Sequence, residues 1–265
     1  GDGKLLQLNS DGNNEYSFSD ELGGVSSGYF SAVTFLAKSK SLGLVTGSGE
    51  GSKLFPESTS AALYLKRDNL WEKEDSISSL LQSLGLVSSA IWTDINQDGF
   101  QDLALASHWG NIHVLIQDPT KPTLFFSDRS SDYGVGASTS GLWNGIASGD
   151  FNEDGFPDLI ATNWGLNTDY QVNPNEPLTF FHGQISQPGV MDIIETEYDS
   201  NGAKLLMRRH LPFVVSSLPY ILANVRTSKQ YAEASVEALL GNRLRLAKKT
   251  SINRLATSIF LSNEG

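Results

Sequence analysis

One acidic nonapeptide occurs twice in this chain: "DINQDGFQD" at residues 94–102 and "DFNEDGFPD" at 150–158. A duplicated element of this length marks a repeat architecture, and repeats constrain a fold more than composition does. The copies extend beyond the nonapeptide. "LALASHWG" follows Asp102 and "LIATNWG" follows Asp158, so each unit reads as acidic loop, apolar β-type segment, then Trp-Gly. A third, worn copy, "QISQPGVMDIIETEYD" at 184–199, keeps Gly189 and Asp192 in register but carries Gln184, Ser186 and Pro188 at its first, third and fifth positions.

The nonapeptide has a chemical reading. A hard divalent cation such as Ca²⁺ takes about 6–8 oxygen ligands, which a tight loop delivers from alternate positions. In the first loop these oxygens are Asp94, Asn96, Asp98, the backbone carbonyl of Phe100, and Asp102, with Gly99 at the bend. The second loop offers Asp150, Asn152, Asp154, the Phe156 carbonyl and Asp158, with Gly155 at the bend. Glycine at the sixth position permits the reversal that brings the later ligands back. Only the first half of an EF-hand loop is matched, since Leu105 and Ala161 stand where a bidentate Glu would be needed. The third copy has lost two carboxylates and is expected to bind no metal.

Short segments rich in β-branched and aromatic residues fill much of the remaining chain: "FSAVTFLA", "LGLVTG", "ALYLK", "IHVLIQD", "LTFFHG" and "TSIFLS". One short helix is expected near "SISSLLQSLG", and the opening predicts a hairpin turning at Asp11-Gly12. The strands around 30–60 have no acidic loop and read as a metal-free repeat. Residues 204–250 break the pattern. Thr227 with Gln230 makes a capping box, Ala232, Val236, Leu239 and Leu240 form an apolar stripe, and Gly241 is a stop signal.

Charge and composition exclude several functions. The net charge of −11 divides into 27 Asp and Glu against 9 Lys and Arg in residues 1–202, and 3 against 10 in 203–265. An acidic body repels nucleic acid and suits cations, while the basic tail is read as a solvated surface. The chain has no Cys, which removes thiolate ligands and thiol nucleophiles. No apolar run reaches the roughly 20 residues of a membrane span. The start has no signal-peptide layout, so the chain is expected to be a piece of a longer protein. The four His residues show no zinc spacing, no GxSxG elbow is present, and "GSGEGS" at 47–52 is a turn rather than a phosphate cradle. Trp92, Trp109, Trp143 and Trp164 are read as packing between repeats, with a sugar-binding face as the alternative.

From Ile91 to Asp199 the chain resembles the FG-GAP/VCBS repeat proteins, whose blades carry a D-x-[DN]-x-D-G-x-x-D loop, as in integrin α-subunits. The stretch "GLWNGIASGDFNEDGFPDLIATNWGLNTDY" is similar to bacterial members of the ASPIC/UnbV-associated type. The resemblance implies an all-β fold, a partial β-propeller of about four to five blades with a short helical insertion near the C-terminus. The blades are expected over 1–203, the insertion over 204–250, and the start of a further blade over 251–265. It also implies a Ca²⁺-binding module outside the cytoplasm for binding or adhesion, with a protein or carbohydrate ligand and no catalysis. The alternatives are the scaffold of a carbohydrate-active lyase or hydrolase, and a purely structural spacer.

Overall fold

A computed structural model describes residues 7–10, 16–19, 30–47, 56, 61–68, 70–173 and 175–262. The Asp11-Gly12 turn and residues 48–52 of the glycine-rich run lie outside the described residues. The architecture is all-β, with several antiparallel sheets and few helices.

The chain divides into two compact units, and the larger holds residues 1–53, 57–167 and 255–265. In it, β1 (Gln7–Ser10) and β2 (Tyr16–Ser19) pair as the expected hairpin. Four strands, β3 (Phe30–Leu36), β4 (Ser41–Gly47), β5 (Ala62–Arg67) and β6 (Leu70–Lys73), then form a sheet in sequence order. Helix α1 (Asp75–Gln82) follows, where a helix was expected. Its buried face, Ile77, Ser78 and Leu81, lies on that sheet, and the Ser78 hydroxyl bonds the backbone of Leu63.

The next sheet is built around β8 (Asp102–Gly110), flanked by β7 (Leu86–Thr93), β9 (Ile112–Gln117) and β11 (Gly141–Leu142), with β10 (Phe126–Asp128) outermost beside β9. Strand β8 explains why the repeat is apolar without alternation. Successive side chains point to opposite faces, and both faces are covered: Leu103 and Leu105 join a cluster with Val45, Leu63 and Leu81, while Ala104 and Ala106 join another with Trp143, Leu159 and Ala161. Sheets therefore stack face to face within this unit.

The last sheet of the unit comprises β12 (Gly145–Gly149), β13 (Asp158–Thr162) and β18 (Ser258–Phe260). The final residues, expected to open a further blade, thus complete an existing sheet, with Leu159 opposite Phe260 and Ala161 opposite Ser258. The outer edge of β13 needed a partner for its backbone groups, and the returning chain provides it.

The smaller unit holds residues 54–56 and 168–254. Its sheet runs in the order β16 (Leu205–Met207), β15 (Asp192–Tyr198), β14 (Leu178–Gly183), β17 (Ala247–Ile252). The boundary expected at 203 falls between β15 and β16, which are paired to each other. Helices α2 (Leu211–Ser217), α3 (Ser228–Glu233) and α4 (Val236–Leu240) cover the sheet through Val214, Tyr231, Val236, Leu239 and Leu240 packed on Phe181, Ile194 and Met207.

The helical stretch expected around Thr227–Leu240 is two short helices rather than one. Thr227 caps α3 by accepting from Gln230 N (3.1 Å), as the capping box requires. Ser235 then turns extended, bridges to Leu206 and caps α4 by accepting from Ala238 N (3.3 Å). That break shifts the helical phase, so Ala232 is exposed and Tyr231 takes the buried position. Gly241 ends α4 with a φ of +52°, where glycine is unstrained.

Candidate metal centre

The loops of interest join the first two strands of successive sheets: 94–101 joins β7 to β8, and 150–157 joins β12 to β13. The first strands stand side by side, tied by Trp92 Nε1 to the Ala32 carbonyl (3.1 Å) and Ile146 N to the Ser89 hydroxyl (3.3 Å).

The two loops have the same internal bonding. In the first, Asp94 accepts from Asp98 N (3.0 Å) through Oδ1 and from Gly99 N (2.8 Å) through Oδ2. Asn96 Oδ1 also accepts from Asp98 N (3.1 Å), Asn96 Nδ2 donates to Asp98 Oδ2 (3.1 Å), and Asp98 Oδ1 accepts from Phe100 N (2.9 Å). The second loop repeats each bond. Asp150 accepts from Asp154 N (3.1 Å) and Gly155 N (2.9 Å), Asn152 bonds Asp154 N (3.2 Å) and Asp154 Oδ2 (2.7 Å), and Asp154 Oδ1 accepts from Phe156 N (2.8 Å). These side-chain-to-backbone bonds let Asp and Asn fold a short turn on themselves. Gly99 and Gly155 adopt φ of +85° and +88°.

The ninth-position carboxylates differ from the others in being buried. Asp102 accepts from Ile95 N (3.0 Å) and from Gln117 N (2.8 Å) on β9, anchoring its loop to the sheet. Burial raises the Asp102 carboxyl to about 6, against the pull of those amides. Asp158 accepts from Phe151 N (2.8 Å), Ser262 N (2.8 Å) and the Ser262 hydroxyl (3.1 Å). Burial pushes Asp158 upward too, but the donors on Ser262, Phe151 and Asn152 together outweigh it and hold the carboxyl below its ordinary value.

The third loop keeps the shape without two of the carboxylates. Asp192 accepts from Ile185 N (3.0 Å), as Asp102 and Asp158 do from their second residues, and Gln184 Oε1 accepts from Gly189 N (2.7 Å), as Asp94 and Asp150 do from their glycines. A guanidinium attends it. Arg243 donates to the carbonyls of Ile185 (2.7 Å) and Ser186 (3.0 Å) while lying over the Tyr220 ring at 4.2 Å.

Among the described residues, no three or more His, Cys, Asp or Glu side chains are gathered into a metal-holding group. In the two intact loops the first-, third- and fifth-position oxygens face loop amides, and the ninth-position carboxylate bonds both the loop's second amide and backbone beyond the loop. The donor set nevertheless fits a hard cation. Every side-chain donor is an oxygen, and an oxygen that accepts one N–H keeps a second lone pair. Sequence reasoning missed Gln97, Ser262, the Gln117 amide and Arg243, because each acts across a distance in the chain that no local spacing reports.

Of the four tryptophans in or beside the repeats, Trp143 is fully buried and donates to the Thr139 carbonyl (2.7 Å), and Trp92 is half-buried. Trp109 is half-buried with a φ of +57°, and Trp164 is 47% exposed. The equivalent residues His108 and Asn163 both reach the same segment: His108 Nδ1 lies 3.3 Å from the Trp143 carbonyl, and Asn163 Oδ1 accepts from Leu142 N (3.1 Å).

Stacked antiparallel sheets whose leading strand pairs are joined by duplicated acidic loops define a β-repeat protein. Residues 94–161, running from the first loop to the strand after the second, match the family described as FG-GAP-like repeat. Over that stretch the chain is similar to FG-GAP-like repeats. No curated protein matches it.

Proposed function

We propose that the chain is a calcium-stabilised FG-GAP-type propeller module that works outside the cytoplasm in binding or adhesion and performs no catalysis. The observation that carries this reading is the bond-for-bond identity of the two acidic loops. Asp94, Asn96, Asp98, the Phe100 carbonyl and Asp102 would hold one ion, and Asp150, Asn152, Asp154, the Phe156 carbonyl and Asp158 the other. Bound Ca²⁺ would supply charge neutralisation to three carboxylates per loop and stabilise the native state by mass action. Millimolar calcium outside the cytoplasm suits loops of this modest affinity, and no helix among the described residues is long and apolar enough to cross a membrane. The partner would be a protein or a carbohydrate, as the acidic body disfavours nucleic acid.

Melting curves of chelator-stripped protein test this reading: calcium should raise the melting temperature by several degrees and magnesium much less. An unchanged melting temperature in a folded sample would refute it.

A second reading rests on one cavity. In the smaller unit a space of ≈ 240 Å³ is lined by Asp169, Glu176, Glu197, Tyr198 and Arg208, titratable groups outside the acidic loops. Carboxylates around such a space could serve as acid and base on a sugar. Release of reducing ends or unsaturated products from polysaccharides, abolished by Glu197→Gln, would favour this alternative.

A further inference from the structure

The two intact loops touch each other. Gln97, the fourth residue of the first loop, donates from Nε2 to the carbonyl of Gly155, the sixth residue of the second, at 2.5 Å. A second link lies just ahead of the loops, where Thr93 Oγ1 and Ser148 Oγ are 3.2 Å apart. Both bonds lie within the larger unit.

Each end of the Gln97 bridge is set among cation donors. Gln97 stands between Asn96 and Asp98 with a φ of +56°, a conformation that a residue with a side chain adopts where its surroundings impose it. Gly155 has its N–H held by Asp150 Oδ2 (2.9 Å) and is followed directly by Phe156, whose carbonyl is the seventh-position donor. An ion that orders residues 96–98 therefore orders the Gln97 side chain, and through it the peptide that precedes the Phe156 carbonyl.

We infer that the two loops take up calcium as a coupled pair, with Gln97 as the positioning residue that carries the coupling. This rests on the metal reading proposed above. The first ion spends part of its binding free energy on ordering both loops, and the second meets a loop already ordered. The effect is reciprocal, whichever loop fills first. Three carboxylates per loop leave each filled loop net negative, so the two ions are not set against each other by uncompensated charge. Glu153, the counterpart of Gln97 in the second loop, ends in a carboxyl group rather than an amide and has no N–H to offer a carbonyl. The bridge is thus built in one direction, from the first loop to the second.

Calcium titration calorimetry on the chelator-stripped full chain tests this, comparing wild type with Gln97→Met, which keeps length and loses the donor. Gln97 is exposed, so folding should survive, and circular dichroism in chelator checks it. Gln97→Asn, too short to reach Gly155, provides a second variant. Wild type should bind two ions, the second about fivefold or more tighter than the first, within the usual range for coupled sites. Both variants should bind two ions independently, filling of one loop no longer tightening the other. Asp154→Ala should bind one ion, more weakly than the first loop binds in wild type when the second is filled. Two independent sites in wild type, or coupling undiminished in the variants, would overturn the inference. Fewer than two ions bound to wild type would instead overturn the metal reading beneath it, a failure visible in stoichiometry rather than in coupling.

Discussion

At the residue scale, the loop carboxylates do two kinds of work. Asp98 and Asp154 cap the amides of Phe100 and Phe156 from exposed or half-exposed positions. Asp102 and Asp158 are buried anchors that bond backbone beyond their own loops, at Gln117 and Ser262. Asp98→Ala and Asp154→Ala should therefore cost about 1 kcal/mol in chelator, the net worth of an ordinary hydrogen bond. In calcium at 100 times the dissociation constant, losing a site should cost about 2.7 kcal/mol more. Melting curves in both conditions measure the difference, and equal losses would mean these carboxylates are caps alone.

His113 sets a second prediction at this scale. Burial lowers its pKa, against the attraction of Asp128 at 3.7 Å. The folded state therefore favours the neutral ring, and protonation opposes folding. That contribution is intact above the ordinary histidine value of about 6.5 and is lost as pH falls below it toward the depressed folded value. Buried Asp102 titrates with the opposite sign but is common to wild type and variant. In urea melts, the stability gap between wild type and His113→Gln should narrow from pH 7.5 to pH 5.5. A gap that stays constant would show that the ring titrates as it does in the unfolded chain.

At the scale of the element, the three loops are one backbone design with two ways of being fastened. The first two carry Asp at their first, fifth and ninth positions, and the third has an amide at its first position and the Arg243 guanidinium on its carbonyls. Arg243→Ala should destabilise the smaller unit by about 1.5–2 kcal/mol, the lower part of the range for hydrogen bonds to charged groups, and equally with and without calcium. Hydrogen exchange at residues 185–192 would report it, and a calcium-dependent loss there would contradict the assignment. Ser235→Ala should cost about 1 kcal/mol by removing the cap of α4, seen as a lower urea midpoint.

Much of this scale was legible in the sequence, because Asp, Asn and Gly fold a turn through contacts a few residues apart. The strands were legible for a similar reason, their apolar runs reflecting burial on both faces. The break at Ser235 was not, since it depends on a bridge to Leu206, and a capped apolar stripe reads as continuous without it. Nor was the buried role of Asp102, whose partner on β9 lies 15 residues away.

At the scale of the whole molecule, long-range closure decides what local pattern cannot. β18 returns across about 95 residues to pair with β13, and Ser262 beyond it completes the Asp158 anchor of the second loop. The smaller unit, with its sheet and helices on one core, is inserted between those partners in sequence. Sequence reading separated strands from helices there by periodicity, and could not see that both cover the same core.

The central claim is that the two intact acidic loops each hold one calcium ion and the third holds none. Native mass spectrometry of chelator-stripped protein with calcium added back counts the ions directly. Two per chain in wild type, falling to one in Asp98→Ala and one in Asp154→Ala, is the predicted result; a folded protein that carries none, or keeps two in both variants, would contradict it.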